Sequence, residues 1–258
     1  MLATGLATDL GAALDPVLLA RRMGIEPDSW QARVLRSPSA QIILNCSRQV
    51  GKSTVTGVLA GHTALYTPGA PILLLSPTER QSIELLRKVK DTLRQLGTAT
   101  TEVEKDNALS LEFANGSRIL ALPGKEGMIR GFSGVKLLII DEASRVPDAL
   151  YQAVRPMVAV SGGRIVLLST PFGKRGFFHH EWTEGGADWE RVAVTGYDCP
   201  RIDRTWLDKE RATIGDWWFR QEYLGEFVDT VDQVFAYDDV MGAVSADVAP
   251  LFPLEVIR

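Results

Sequence analysis

Residues 40–54, AQIILNCSRQVGKST, constrain the fold of this chain more than any other stretch. Ile42, Ile43 and Leu44 make an apolar run of the length of a buried strand. The small and polar residues after Cys46 read as the turn leaving it, and Gly51-Lys52-Ser53 close that turn at the start of a helical pattern. The first N–H groups of a helix have no intrahelical partner, so a strand, loop and helix joined in this way present donors to an anion. The loop matches G-x-x-x-x-G-K-[ST] except at its first position, where Cys46 replaces Gly. Cysteine is small enough for the turn if its backbone stays out of the left-handed region. The spacing predicts a nucleoside triphosphate site formed by Cys46, Ser47, Arg48, Gln49, Val50, Gly51, Lys52, Ser53 and Thr54; a helix start without a ligand is the plainer alternative.

Beyond the loop the chain alternates between buried strands and helices. Residues 52–66 carry apolar side chains at helical spacing, 71–76 (PILLLS) form a second apolar strand, and 78–96 an amphipathic helix with Ile83, Leu86, Val89, Leu93 and Leu96 on one face, ended by Gly97. Continuous apolar strands alternating with helices indicate a parallel sheet covered on both faces. Residues 108–122 read as a hairpin turning at Asn115-Gly116. Leu137–Ala143 (LLIIDEA) and 164–169 (RIVLLS) are further core strands, 149–157 a helix, 190–195 a last strand, and 204–225 one or two helices rich in Trp and Tyr. Ahead of the loop, 1–29 form a small helical lead-in, and Asp28 or Ser29 caps a helix with Trp30, Val34 and Leu35 on one face and Gln31 on another, free to read a polar group.

In open α/β sheets ligands bind at the carboxyl ends of the strands, which is where Asp141 and Glu142 fall. Triphosphate hydrolysis needs a phosphate cradle, a cation on the β- and γ-phosphates, a held Mg²⁺ and a group that polarises water. Lys52 supplies the cation, Ser53 and Asp141 the Mg²⁺ ligands, and Glu142 the polarising acid. Ser169-Thr170-Pro171 ends another core strand on the same edge, and Thr170 or Ser169 is placed to bond the γ-phosphate or Glu142; an ordinary strand-ending turn is the alternative. Arg48 is within reach of the phosphates or of Glu142. Arg130, on a Gly-flanked loop, suits a finger acting across a subunit boundary, while Arg145, Lys174 and Arg175 read as solvated charge.

Length and charge set outer bounds. A chain of 258 residues builds one large α/β domain, or such a domain with an appendage. Its net charge of −4 argues against a generally basic nucleic-acid coat, so DNA contact requires a local basic face or an oligomer. Cys46 and Cys199 lack metal-type spacing and read as reduced thiols. No run of 18 apolar residues and no basic, apolar leader is present, which points to a cytoplasm and away from a membrane.

The ordered set of motifs resembles the ATPase domain of the large terminase subunit of tailed bacteriophages. It comprises D-x-W-Q at Asp28–Gln31, RQ-x-GKST at Arg48–Thr54, SPT at Ser76–Thr78, RG-x-S at Arg130–Ser133, LLIIDEA, LLSTP, and a late segment Phe219–Phe235 that resembles the passage into a linker. The resemblance covers residues 28–235. It implies a RecA-like P-loop NTPase of the additional-strand, catalytic-glutamate class, a mostly parallel central sheet flanked by helices with a small helical C-terminal subdomain. It further implies that Gln31 reads adenine, that Ser169, Thr170 and Pro171 form a coupling motif, and that Arg48 and Arg130 are the loop arginine and the trans-acting finger. The implied cofactors are ATP and Mg²⁺. The implied partners are double-stranded DNA, the portal protein, the small terminase subunit and further copies of the chain, a pentameric ring when assembled and a monomer in isolation, in the host cytoplasm. On this reading residues 1–27 are the lead-in, 28–198 the ATPase core, 199–235 a helical linker subdomain and 236–258 a tail. Family members continue into an RNase H-like nuclease; no nuclease activity is expected here, and Asp238 and Asp239 are not read as its ligands. The competing functions are a helicase-like ATPase, for which the roughly 90 residues after Pro171 are too few to build a second RecA-like domain, and a nucleotide-sensing assembly module, which has no use for Glu142.

Overall fold

A computed structural model of the chain describes residues 2–97, 103–122, 131–229 and 237–243. Helices α1 (Leu2–Leu14), α2 (Pro16–Arg22) and α3 (Ser29–Arg36) precede strand β1 (Gln41–Cys46). Then come α4 (Lys52–Tyr66), β2 (Pro71–Leu75), α5 (Glu79–Arg94), β3 (Val103–Asp106), β4 (Ser110–Phe113), β5 (Arg118–Ala121) and β6 (Leu137–Asp141). The remaining elements are α6 (Asp148–Val154), β7 (Arg164–Ser169), α7 (Gly176–Thr183), β8 (Trp189–Val194), α8 (Arg204–Ile214), α9 (Asp216–Leu224) and α10 (Tyr237–Ala243).

The strands form one sheet in the order β3-β4-β5-β2-β6-β7-β1-β8. From β5 to β8 every pairing is parallel, and β4 runs antiparallel to both β3 and β5. The inner parallel strands β1, β2, β6 and β7 read as apolar runs because each is covered on both faces, whereas β8 at the sheet edge, WERVAV, does not. Alternate side chains of β1, for example, feed two separate cores. Ile42 and Leu44 join a cluster with α4 and α5 that also takes in Val17 and Leu19 of α2, while Ile43 joins a cluster with Leu138 and Ile140 of β6 and the residues of α6 and α7. α5 turns Leu86, Val89 and Leu93 inward at helical spacing, is capped by Thr78 Oγ1 accepting from Gln81 N (3.3 Å), and ends before Gly97, whose φ of 74° only glycine adopts cheaply.

β7 lies between β1 and β6. The strand that carries the phosphate loop and the strand that carries Asp141 are thus separated by one other, which defines the additional-strand arrangement. β3 is fully exposed and highly charged, formed by its antiparallel partner β4 at the sheet edge, and α7 is a helix that no sequence spacing foretells. The expected hairpin is β4–β5, with Gly116 at φ 81° in its turn.

Candidate nucleotide site

β1 ends at Cys46, and the loop Ser47–Gly51 carries the chain into α4. Cys46 is fully buried and its φ is not positive, so the residue at the first glycine position meets the condition set by its side chain. Burial pushes its thiol up to about 12, against a smaller pull from Lys52. Gly51 starts the helix at φ 98°. Among the described residues only two non-glycine positions have positive φ, Gln49 (59°) and Glu142 (50°), and both belong to this edge of the sheet. Left-handed backbone at such residues costs on the order of 1–2 kcal/mol, and strain of this kind concentrates at functional sites.

Lys52 folds back over the loop. Its Nζ donates to Ser47 O (3.0 Å), Cys46 O (3.4 Å) and Thr170 Oγ1 (3.0 Å), so a hydroxyl at the end of β7 and the loop carbonyls hold the ammonium in place. Ser169 does not reach Glu142. Its Oγ lies 2.8 Å from Ser144 Oγ and accepts from Ser144 N (3.2 Å), which ties the end of β7 to the turn following Glu142. Asp141 closes β6, with its Oδ1 accepting from Glu142 N (3.0 Å). Burial, and then the neighbouring Glu142 carboxylate, raise the acid of Asp141 from the usual 3.8 to about 6, with Lys52 pulling the other way. Lys88 of α5 brings a second ammonium to this corner, 3.4 Å from Ser53 Oγ. The donor set of Asp141 and Ser53, hard oxygens at the mouth of a crowded acidic pair, fits Mg²⁺, which takes one or two protein oxygens and completes its shell with water and phosphate.

Two expected roles look different in three dimensions. Gln31 is buried rather than free: its Oε1 accepts from Asp28 N (2.9 Å) and its Nε2 donates to Gly51 O (3.2 Å), so one side chain closes the start of α3 and also touches the phosphate loop. The D-x-x-Q spacing is a capping-box pattern, and that signal foretells the inward turn of Gln31. Arg48 pairs with Glu222 of α9, not with Glu142, and its backbone N donates to Glu222 O (3.0 Å). Asn45 Nδ2 donates to Gly225 O (2.7 Å), a second tie from the end of α9 to this edge. Glu222 and Gly225 lie in the late segment Phe219–Phe235, but nothing in their local pattern ties them to the loop, which each meets only through long-range packing. Arg145 and Arg175 stand over the Phe172 ring at 4.0 and 4.8 Å, and Lys174 lies 3.6 Å from Asp229. Arg130 lies outside the described residues.

A parallel sheet with an added strand between loop and acid, a phosphate loop at its carboxyl edge and an Asp-Glu pair beside it define a RecA-like P-loop NTPase fold of the additional-strand class. Residues 43–241 match the family model "Terminase large subunit, T4likevirus-type, N-terminal". The chain belongs to that family. It is 26% identical over 253 residues to the terminase large subunit of Thermus phage G20c, covering 85% of this chain and 52% of that protein. It therefore spans about half the length of the curated relatives it matches. Among solved structures it superposes on the large terminase ATPase domain of Thermus phage P74-26 with a TM-score of 0.72 and 24% identity, covering 81% of this chain and 97% of that one. The large terminase of another thermophilic bacteriophage, in complex with ATP-gamma-S, gives a TM-score of 0.61 at 17% identity, over 78% of this chain and 53% of that one. Among the described residues no helix is long and apolar enough to cross a membrane.

Proposed function

We propose that this chain is the ATP-hydrolysing motor of a phage DNA-packaging terminase, translocating double-stranded DNA into a prohead. The observation that carries the reading is the convergence of Lys52, Ser53, Asp141 and a strained Glu142 on one sheet edge. Membership of the terminase family and the ATP-gamma-S complex of the thermophilic-phage relative support it. The loop N–H groups and Lys52 bind the phosphates, Lys52 exchanging the carbonyls of Cys46 and Ser47 for phosphate oxygens. Ser53 and Asp141 would hold Mg²⁺, which when bound offsets the charge of the phosphate oxygens. Glu142 orients the attacking water and accepts its proton as the bond to the γ-phosphorus forms in line with the leaving ADP. Thr170 feels the departure of Lys52, and Ser169 transmits any movement of the Glu142 turn through Ser144, which is the coupling role of Ser169-Thr170-Pro171.

Gln31 keeps one N–H and one oxygen lone pair beyond its two observed bonds, which is what an adenine edge requires. Arg130 takes the part of the finger that a neighbouring subunit receives. The assembled partners in this reading are DNA, the portal protein, the small subunit and a pentameric ring of this chain, in the host cytoplasm. Residues 1–27, 28–198, 199–235 and 236–258 serve as lead-in, ATPase core, linker subdomain and tail. Glu142→Gln tests the proposal. A general base contributes on the order of 10²–10⁴ in rate, so multiple-turnover ATP hydrolysis with Mg²⁺ and double-stranded DNA falls at least about 100-fold while affinity for a fluorescent ATP analogue stays within about threefold. Equal, near-zero rates in parent and variant would favour a nucleotide-sensing module instead.

A further inference from the structure

Among the described residues outside the motifs, Arg201 is a cation that touches the phosphate loop directly. It follows β8, in a segment anchored by buried Cys199 on one side and by Ile202 packed on the core on the other. Its Nη2 donates to Val50 O (2.9 Å) and its Nη1 to Asp28 Oδ1 (2.8 Å), with the Asp28 side chain only 10% exposed. A planar guanidinium can grip two acceptors lying in different directions; a lysine ammonium, a point charge on a flexible stem, holds them less firmly. A Cβ placed on Gly51 would lie 3.3 Å from Arg201 Nη2 and 2.7 Å from Gln31 Nε2, so the two side chains press on the last residues of the loop from outside.

Peptide planarity converts these grips into a direction for the loop amides. Val50 O shares a plane with Gly51 N–H, and Gly51 O shares the next plane with Lys52 N–H; in a trans peptide the two dipoles point to opposite sides. Arg201 holds the first carbonyl outward and Gln31 holds the second. Their N–H groups are thereby aimed inward, to where the unpaired donors of the helix start meet phosphate. We propose that Arg201 is a positioning residue of the nucleotide site: clasped between Asp28 and Val50 O, it fixes the peptide plane that directs Gly51 N–H at the phosphates. This rests on the nucleotide site proposed above. It extends that site to a residue near the base of the C-terminal helices, which also grip the loop through Glu222.

Arg201→Ala and Arg201→Lys in the full chain provide the test, with ADP and inorganic tripolyphosphate as probes. Losing an ionic hydrogen bond that pre-orients a donor weakens binding by roughly tenfold. Arg201→Ala is expected to raise Kd for both probes by that factor alike, because the loss falls on the phosphates; Arg201→Lys recovers only part of it. In the free protein, amide hydrogen exchange quickens in residues 47–55 and is unchanged in β6 and β7. Equal affinity in parent and Arg201→Ala overturns the proposal. So does parental affinity in Arg201→Lys, the variant that carries the test if the alanine fails to fold, or a uniform rise in exchange that includes β6 and β7. A parent chain that binds neither probe overturns the nucleotide site itself and this inference with it.

Discussion

Asp141→Asn should make the nucleotide- and metal-free protein more stable at neutral pH while abolishing turnover. The folded carboxyl titrates at about 6 against an ordinary 3.8, because burial and the Glu142 carboxylate oppose its ionisation. At about 1.4 kcal/mol per pH unit the difference amounts to roughly 3 kcal/mol, and partial solvent access to the carboxylate screens it to roughly 1–3 kcal/mol. The sign is fixed by linkage. Between about pH 4 and pH 6 the folded state binds more protons than the unfolded state, so the contribution of Asp141 to stability falls as pH rises through this window and has been lost above it. Asparagine carries no charge, and its Oδ1 can still accept from Glu142 N, the bond that Asp141 makes at 3.0 Å. Urea unfolding of parent and variant at pH 4.5 and pH 8, without nucleotide or Mg²⁺, measures the difference directly. The variant is expected to gain about 2 kcal/mol at pH 8, or roughly 4–8 °C in Tm for a chain of this size, and about half as much at pH 4.5, where the unfolded carboxyl is already mostly ionised. A variant less stable than the parent at pH 8, or an advantage that grows on acidification, would refute the electrostatic account.

Buried groups elsewhere give two further expected outcomes. Glu181, buried, accepts from Tyr151 Oη (2.9 Å), Arg155 Nη1 (2.9 Å) and Trp189 Nε1 (2.8 Å) beside the amino ends of β1 and β8; Glu181→Ala leaves those donors unpaired and should cost roughly 3 kcal/mol in unfolding free energy while nucleotide affinity stays put, whereas a matching loss of affinity would show the two sheet edges to be coupled. Cys46 and Cys199 are both buried and are the only cysteines, so a disulfide-exchange reagent at pH 8 should find no fast-reacting thiol in the native chain and two in urea; rapid labelling of Cys46 that nucleotide blocks would mean its thiol faces the phosphates.

Much of this molecule could be read from the chain because its central strands are apolar without interruption. β1, β2, β6 and β7 announce themselves as buried runs, and the residues just past their carboxyl ends are the ones the sheet gathers together. β3 left no trace, since its residues VEKD are all exposed and only pairing with β4 makes them a strand. α7 was equally silent: GFFHHEWT follows no helical spacing, and Phe177 and Phe178 are turned inward by packing against the α6 side of the sheet. At the site, short-range signals found the loop, Lys52 and the acidic pair. Partners that arrive from more than 100 residues away, Glu222 on Arg48 and Arg201 on Val50, have no local pattern to betray them. Gln31 is the intermediate case: helical spacing sets it off the face of Trp30, Val34 and Leu35, and capping chemistry draws it inward.

The position of β7 sets a distance as well as a topology. Neighbouring strands lie about 4.8 Å apart, so one intervening strand holds the starts of the Lys52 and Asp141 segments roughly 10 Å from each other. Were β1 and β6 adjacent, that separation would fall to about 5 Å. Kept one strand further apart, the two segments frame an opening about as wide as a chain of phosphates.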